Sequence, residues 1–395
     1  YIRFWTRRGQ VIDDAGRVYE IASPYSLADL LDEDKRPRIT CAQSGDVLYL
    51  ACPGMPPRKL SCFGPTDWRL EEFRPKGGPW AEPNADKEKT IAVTGARNGE
   101  VTLTANFPAF LPGHAGSPLR LENTEWIDYT PWESLVRTAP GLPRRSDGKT
   151  YLAIDHHGDE WWTGTIQPTH THGRVWDGQG KRLVTTDTAH VGVLWEYRDP
   201  GYGIVRITSV ESPAVARAVV EKDYALPDAL MGASTWKWQF GAWSGAAGFP
   251  SCCAFFRERL VFGGGTRVWT SKAGDFENFE DKTFGQIATD NAVTVTVVTG
   301  QGVDSVAALA SMSSLIVITG GGEVVVSEAA ASEPFGPDNV RVSPQSAYGG
   351  LALRPARVGS ACLFVQAGGR KLRELGYDFS SDAWSSPDVT MLAEH

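Results

Sequence analysis

The feature that most constrains the fold is a repeated pattern of an apolar strand, a glycine-containing turn and a second strand. It occurs in four stretches, which are Asp46–Trp68, Leu260–Phe279, Leu315–Ser327 and Cys362–Phe379. The spacing between successive copies is 55 residues from Leu260 to Leu315 and 48 residues from Leu315 to Leu363. Small antiparallel sheets repeating about every 50 residues are typical of β-propeller blades, so the sequence predicts that fold.

Several other segments alternate apolar and polar residues with a period of two, as in Val101–Ala105, Gly203–Val210 and Ala292–Val298. Such alternation places one strand face in a core and the other in solvent. Helical periodicity is limited to a short turn at Ala28–Glu33. The 42 glycines and 25 prolines suit many short strands joined by tight turns. The predicted class is all-β: a β-propeller with a large inserted region of one or two small β-barrel or sandwich domains.

The insertion is predicted from a long gap in the repeat. The step from Leu48 to Leu260 is 212 residues, of which one blade explains about 50, so roughly 160 residues are inserted. A polar stretch at Pro140–Gly148 is interpreted as a linker that divides the insert in two. The predicted domains are 1–80 (first propeller part), 81–145 (inserted β domain), 146–242 (second inserted β domain) and 243–395 (second propeller part).

The run Gly263–Thr266 has the composition of a phosphate-binding loop, but its context predicts a turn. A phosphate loop leads into a helix whose N-terminus faces the anion. Here the strand-like sequence Arg267–Ser271 follows instead. Glycine runs recur at Gly320–Gly322 and Gly368–Gly369, each between two strand-like segments. Because glycine supplies the positive φ of tight hairpins, we interpret all three runs as turns.

The charge limits which partners the protein can bind, and the cysteine content indicates the compartment in which it assembles. The formal net charge is −8, and no basic run is longer than two residues, whereas tight non-specific DNA binding needs clustered Lys and Arg. The six cysteines show no CxxC spacing, which fits buried free thiols and assembly in a reducing compartment. No apolar stretch approaches the ~20 residues of a membrane span. The chain begins inside a strand-like pattern without an initiator Met, which predicts preceding sequence.

Two kinds of polar cluster are weighed as reactive sites and rejected. A histidine-rich region could bind a metal through the HxH pair of His170 and His172, but it lacks a motif such as HExxH. Its other potential ligands are His156, His157, Asp159, Glu160, Asp177 and His190. The carboxylate pairs Asp155/Asp159 and Asp275/Glu277 have glycosidase-like proximity, yet a chain with 47 acidic residues contains such pairs by chance. We therefore predict no catalytic residues, no metal site and no cofactor.

Aromatic side chains are the candidates for a carbohydrate-binding surface. Trp161 and Trp162 are adjacent, and Trp236, Trp238 and Trp243 lie close together in the sequence. Alternate aromatic residues on one strand face also fill cores and subunit interfaces. We favour packing for these residues and keep carbohydrate recognition as the alternative.

Several segments in order along nearly the whole chain resemble one family, the tail nozzle proteins of short-tailed bacteriophages, also called tail tubular protein B or stabilisation proteins. The segments are Tyr19–Tyr25, Ala28–Leu30, Gln43–Val47, Pro56–Leu60, Asp67–Trp68, Pro168–Gly173, Trp176–Gly178, Trp236–Ser244, Gly248–Ser251, Phe256–Gly264, Trp269–Phe279, Leu372–Phe379 and Asp388–His395. The resemblance carries over no catalytic residues.

The resemblance implies a structural protein of the virion, assembled in the host cytoplasm. Six copies would form a homo-oligomeric ring that extends the DNA-ejection channel below the portal and its adaptor (head-to-tail connector) proteins. The ring would anchor tail fibres or spikes, and genomic DNA would pass through it transiently, without sequence-specific binding. The alternative is a receptor-binding propeller or tail-spike-like protein that recognises polysaccharide.

Overall fold

The computed structural model describes residues 1–7, 9–125, 128–158, 160–178, 180–184, 187–283, 287–299, 304–378, 380 and 383–392, with the backbone alone for 180–184 and 187–190. The protein is all-β, a β-propeller with a large inserted β region. Its chain forms two compact units. The first comprises Tyr1–Pro79, Ala247–Asp281 and Ala288–His395, and the second comprises Trp80–Ala246 and Lys282–Ile287.

The N-terminal part of the first unit packs on one four-stranded sheet. Two small strand pairs and a one-turn helix come first: β1 (Ile2–Arg3), β2 (Trp5–Thr6), β3 (Gly9–Gln10), β4 (Glu20–Ile21) and α1 (Leu27–Leu30). Ser26 caps the helix in a capping box with Asp29, and the helix overlaps the predicted short turn at Ala28–Glu33. The sheet, blade 1, contains β5 (Thr40–Ser44), β6 (Val47–Cys52), β7 (Met55–Gly64) and β8 (Asp67–Glu72).

The second unit contains the next thirteen strands. They are β9 (Ile91–Gly95), β10 (Glu100–Ala105), β11 (Pro118–Glu122), β12 (Pro143–Ser146), β13 (Lys149–His156), β14 (Arg174–Trp176), β15 (Gly180–Val184), β16 (Asp187–Val191), β17 (Val193–Asp199), β18 (Tyr202–Ser212), β19 (Val215–Val220), β20 (Ser234–Thr235) and β21 (Trp238–Phe240). Single 3-10 turns lie at Pro112–His114 and Asp228–Leu230.

The rest of the first unit forms three more four-stranded sheets. Blade 2 contains β22 (Cys252–Phe256), β23 (Arg259–Gly264), β24 (Arg267–Thr270) and β25 (Thr294–Thr296). Blade 3 contains β26 (Val306–Ser311), β27 (Leu315–Thr319), β28 (Glu323–Ser327) and β29 (Arg341–Ser346). Blade 4 contains β30 (Ala356–Val358), β31 (Ala361–Val365), β32 (Leu372–Asp378) and β33 (Ala383–Ser385).

Each blade is an antiparallel meander, and the blades share an axis. The first strands of all four line the same cavity. One buried cluster joins blades 2 and 3, and another joins blades 3 and 4. Packed side chains cover both faces of β23 and β27, so every residue of these two strands is buried. This double burial explains why the second strand of a blade is a continuous apolar run rather than an alternating one.

Blades 1 and 2 meet through aromatic side chains, although the insertion separates them in the sequence. The ring of Phe73 stacks on Phe262 at 5.6 Å between centroids and contacts Tyr49 edge-on at 5.3 Å. The ammonium group of Lys59 binds the Glu277 carboxylate at 3.0 Å. Such ring pairs add roughly 0.5–1.5 kcal/mol each beyond their burial, so this junction is held at several points.

The second unit is built on a seven-stranded sheet ordered β20-β9-β10-β19-β18-β11-β21. Its two edge strands are separated in the chain by only Trp236 and Lys237, so the sheet curls until its edges come near each other. The concave side holds a core that includes Ile91, Leu103 and Leu119, all fully buried. A four-stranded sheet, β12-β13-β17-β14, and the hairpin β15-β16 complete the unit.

The predicted boundary between residues 145 and 146, which divides the insert into two domains, is wrong because one sheet contains strands from both sides of it. Strand β10 pairs with β19, and β11 pairs with β18, so the seven-stranded sheet takes strands from both predicted domains. The four-stranded sheet is nested inside it, between β11 and β18 in the chain. Within the predicted linker Pro140–Gly148, residues 143–146 form β12. These pairings join distant strands, which local sequence patterns do not reveal.

Candidate functional site

The glycine run at Gly263–Thr266 lies at a hairpin turn, as predicted, with Gly263 and Gly264 ending β23 and Gly265 and Thr266 forming the turn itself. Gly264 pairs with Arg267 at the end of the β23-β24 ladder, and Gly265 has a φ of +52°. A Cβ on Gly264 would lie 2.8 Å from the Pro250 Cα atom, and one on Gly263 would lie 2.8 Å from Val306 Cγ1. The glycines therefore permit close packing against neighbouring segments, and the strand that follows replaces the helix that a phosphate site needs.

We expect Gly264→Ala to lower the free energy of unfolding by roughly 1–3 kcal/mol, because the new methyl group meets backbone rather than a movable side chain. Gly320→Ala is the matched control, since nothing lies within 4 Å of a Cβ at that position. Urea titration of both variants measures the difference. Equal stability of the two variants would contradict this account.

The histidine-rich region holds aromatic contacts. His157 stacks on Trp176 with 3.8 Å between ring centroids, and His156 lies 4.6 Å from the Trp161 ring. His170 Nε2 is 3.1 Å from the Trp195 carbonyl oxygen, and burial lowers the pKa of this histidine. Among the residues that the structure describes, no three His, Cys, Asp or Glu side chains form a metal-binding group. Asp159 and the His190 side chain lie outside the described residues.

Asp177, which the sequence offers only as a possible metal ligand, organises the same region. Its carboxylate is buried and accepts three hydrogen bonds. Oδ1 accepts from the Val193 amide at 2.7 Å, and Oδ2 accepts from the indole N–H groups of Trp132 at 3.1 Å and Trp195 at 2.8 Å. A Cβ on Gly164 would overlap Asp177. The side chain thus ties Trp132, in the segment before β12, to β17.

The carboxylates weighed as acid-base pairs make contacts of other kinds. Asp155 is exposed and accepts from the His156 amide at 2.8 Å, while its predicted partner Asp159 lies outside the described residues. Glu277 is the ion-pair partner of Lys59 and also contacts the Tyr49 hydroxyl at 3.4 Å. Glu277 therefore contributes to the junction of blades 1 and 2.

The tryptophans weighed as a carbohydrate surface pack against protein groups. Trp161 lies against the core of the four-stranded sheet, Trp243 is buried, and Trp162 Nε1 donates to Glu160 at 2.9 Å. Trp238 stacks on a phenylalanine ring, and two lysine ammonium groups lie 5.5 and 5.7 Å from the Trp236 ring. Both of these lysines are within cation-π distance of the indole.

A cavity lies on the propeller axis of the first unit, with a volume of about 590 Å³. Four consecutive residues from each blade line it: Thr40–Gln43, Cys252–Phe255, Ala308–Ser311 and Arg354–Arg357. The Thr40 hydroxyl accepts from the Cys253 amide at 3.2 Å and so joins two of these strands. Burial raises the pKa of the Cys252 thiol to about 12, so this cysteine is a neutral, weakly reactive part of the wall.

Glu323 is a fully buried carboxyl group at the start of β28. Its Oε2 accepts a hydrogen bond from the Ser346 hydroxyl. Burial raises its pKa to about 7, and the charge of Arg373 and backbone amides offset only part of that effect. Because the folded pKa lies above the unfolded value, the group adds stability at acidic pH, and this contribution disappears as the pH rises through about 7.

We expect Glu323→Gln to remove this pH dependence. Between pH 5 and pH 8 the wild-type protein should lose roughly 2–3 kcal/mol more unfolding free energy than the variant, because glutamine resembles the neutral acid at every pH. Denaturant titrations at four pH values measure the difference. Parallel pH profiles for the two proteins would show that Glu323 is not the group responsible.

A scan against protein-family models finds no match to this chain, and a search of curated proteins also finds none. In the part of the chain that the structure describes, no helix is long and apolar enough to cross a membrane.

Proposed function

We propose that the chain is a structural protein of a bacteriophage tail. In this proposal, copies of it form a ring, six by resemblance, that extends the DNA-ejection channel below the portal and adaptor. The ring also anchors fibres or spikes, so the protein acts in the virion and assembles in the host cytoplasm. Its action is mechanical: a stiff β scaffold holds its partners in place while DNA passes.

The observation that carries the proposal is the architecture: the described residues form a propeller of four blades, and most of a second β unit is inserted after the first blade. The ordered segments that resemble tail nozzle proteins run through both units. Continuous packing between blades supports a mechanical function, since close-packed interiors have low compressibility and transmit strain. The overall charge of −8 also favours a conduit to which DNA does not adhere.

Assembly of the purified full chain tests the proposal. Native mass spectrometry and negative-stain electron microscopy should detect closed rings, either of the chain alone or after mixing with the adaptor protein of the same phage. Ring closure requires two different contact faces on each subunit. A chain that stays monomeric in both conditions, and that a gold-labelled antibody does not locate at the tails of virions, would contradict the proposal.

A glycan array separates this proposal from polysaccharide recognition. Saturable, specific binding of the monomeric chain to one class of bacterial polysaccharide would favour the receptor-binding alternative. We expect no such binding, because the tryptophans that could form a stacking platform contact protein groups.

A further inference from the structure

Positive charge is concentrated in one part of this acidic protein. The 35 residues from Asn339 to Arg373 contain six Lys or Arg residues and no Asp or Glu, in a chain with 47 acidic residues in 395. The basic residues are Arg341, Arg354, Arg357, Arg370, Lys371 and Arg373. This segment includes the outer strand of blade 3 and the first two strands of blade 4. This segment therefore has a local charge opposite in sign to that of the chain.

Two of these arginines line the axial cavity without a carboxylate partner. Arg354 and Arg357 are exposed and form part of its wall. Arg357 Nε donates to the Gly359 carbonyl at 3.3 Å, but within the described residues neither guanidinium lies within 4.0 Å of a carboxylate. By contrast, Lys371 is paired with Asp388 at 3.1 Å. The cavity is thus lined by two cationic residues whose charge the described chain does not neutralise by contact.

The walls of the cavity leave room for a ligand near these groups. Each inner strand contributes an alanine, namely Ala42, Ala254, Ala308 and Ala356, which keeps the interior open. Ser311 adds a hydroxyl group to the wall. A volume of about 590 Å³ is typical of small-ligand pockets, so the cavity admits a few side chains rather than a nucleic-acid duplex.

The ligand chemistry follows from the guanidinium groups. Arginine presents a planar fork of donors that matches carboxylates. Residues 354 and 357 are at most about 11 Å apart along the chain, which is compatible with acidic side chains on alternate residues of an extended peptide, about 7 Å apart. Arg370 lies in the β31-β32 turn, at the same end of the blade as Arg354, so the positive surface extends past the cavity.

We propose that the axial cavity of the first unit binds an extended acidic segment of a partner protein, through Arg354 and Arg357. This site does not depend on the tail function proposed above, because it is complete within one copy of the chain. Carboxylates at spaced positions would pair with the two arginines, which have no carboxylate within 4.0 Å in the part of the chain that the structure describes.

The test uses the full chain and a fluorescently labelled hexaglutamate peptide, followed by fluorescence anisotropy at low and at physiological ionic strength. We expect saturable binding that weakens at least tenfold in the variant Arg354→Gln/Arg357→Gln. The matched control is Arg69→Gln/Arg74→Gln, which removes the same charge from exposed residues paired with Asp67 and Glu72. Binding to the control should stay within twofold of the wild type.

Three results would overturn the proposal: no saturable binding of hexaglutamate, an equal loss in both double variants, or tighter binding of a six-nucleotide single strand than of the peptide. The last result would assign the arginines to phosphate instead. Hydrogen exchange on the wild-type protein gives a readout that does not depend on how the variants fold. Peptide binding should protect amides of the four strands that line the cavity, and protection elsewhere alone would also reject the site.

Discussion

Replacing Arg259 by alanine should lower the free energy of unfolding by roughly 3–5 kcal/mol, because its buried guanidinium is the donor for five backbone carbonyl groups. The acceptors are the carbonyl oxygens of Ser271, Thr289, Asp290, Asn291 and Phe335, at 2.6–3.2 Å. Four belong to blade 2 and its loop, and the fifth belongs to the β28-β29 connection of blade 3. The substitution therefore leaves buried acceptors unsatisfied in two blades.

Chemical denaturation of the variant measures this loss of unfolding free energy. Two further variants show whether the loss comes from the missing hydrogen-bond donors. Arg259→Lys keeps the charge but offers fewer donors in a different geometry, so we expect an intermediate loss. Arg69→Ala removes an exposed arginine paired with Asp67 and should cost less than about 1 kcal/mol. A loss for Arg259→Ala as small as that for Arg69→Ala would show that the carbonyl groups find other donors.

Asp177→Asn should destabilise the nested four-stranded sheet by roughly 2–4 kcal/mol. The groups hydrogen-bonded to this carboxylate are all donors, so the NH2 group of asparagine would face a donor where the carboxylate has an acceptor oxygen. The Val193 amide and the Trp132 and Trp195 indoles all donate to this side chain. Since the effect is local, hydrogen exchange should accelerate in β13 and β17 before the seven-stranded sheet is affected. The tryptophan fluorescence spectrum should shift as the two indoles lose their acceptor.

Asp155→Asn is the control for this prediction. It makes the same chemical change on β13 at an exposed carboxylate, so its effect should stay within about 0.5 kcal/mol. If the two variants were equally stable, the buried carboxylate would not be organising this sheet.

The blades were predictable because two strands in each carry a strong local signal. In β23 and β27 all residues are buried, and the glycine-containing turns that follow mark the hairpins. The innermost strands were not recognised as part of the repeat. Strands β5 and β30 face an open cavity, so they carry alanine, threonine and arginine instead of an apolar pattern. These two strands therefore lack the apolar pattern on which sequence reasoning depends.

The candidate site was predictable only in part, because its members come from four distant segments. Nothing in the short run Arg354–Arg357 indicates that it meets Thr40 or Cys252 around an axis. The surrounding stretch without Asp or Glu is visible in the sequence. Only the meeting of the four strands shows that two of its arginines line a cavity. Likewise, the sequence does not distinguish buried Arg259 from exposed Arg257, two residues away in the same motif.

The interruption between blades 1 and 2 has a consequence for synthesis. The Thr40 and Cys253 contact joins residues 213 positions apart, so blade 1 leaves the ribosome long before the strand that covers it. The second unit, nearly continuous from Trp80 to Ala246, can close its own core in the meantime. Contacts across so long a loop form late, and until then Tyr49 and Phe73 stay uncovered on a nascent chain. The interval between synthesis of blade 1 and synthesis of blade 2 is therefore the stage at which these apolar side chains are most exposed to aggregation.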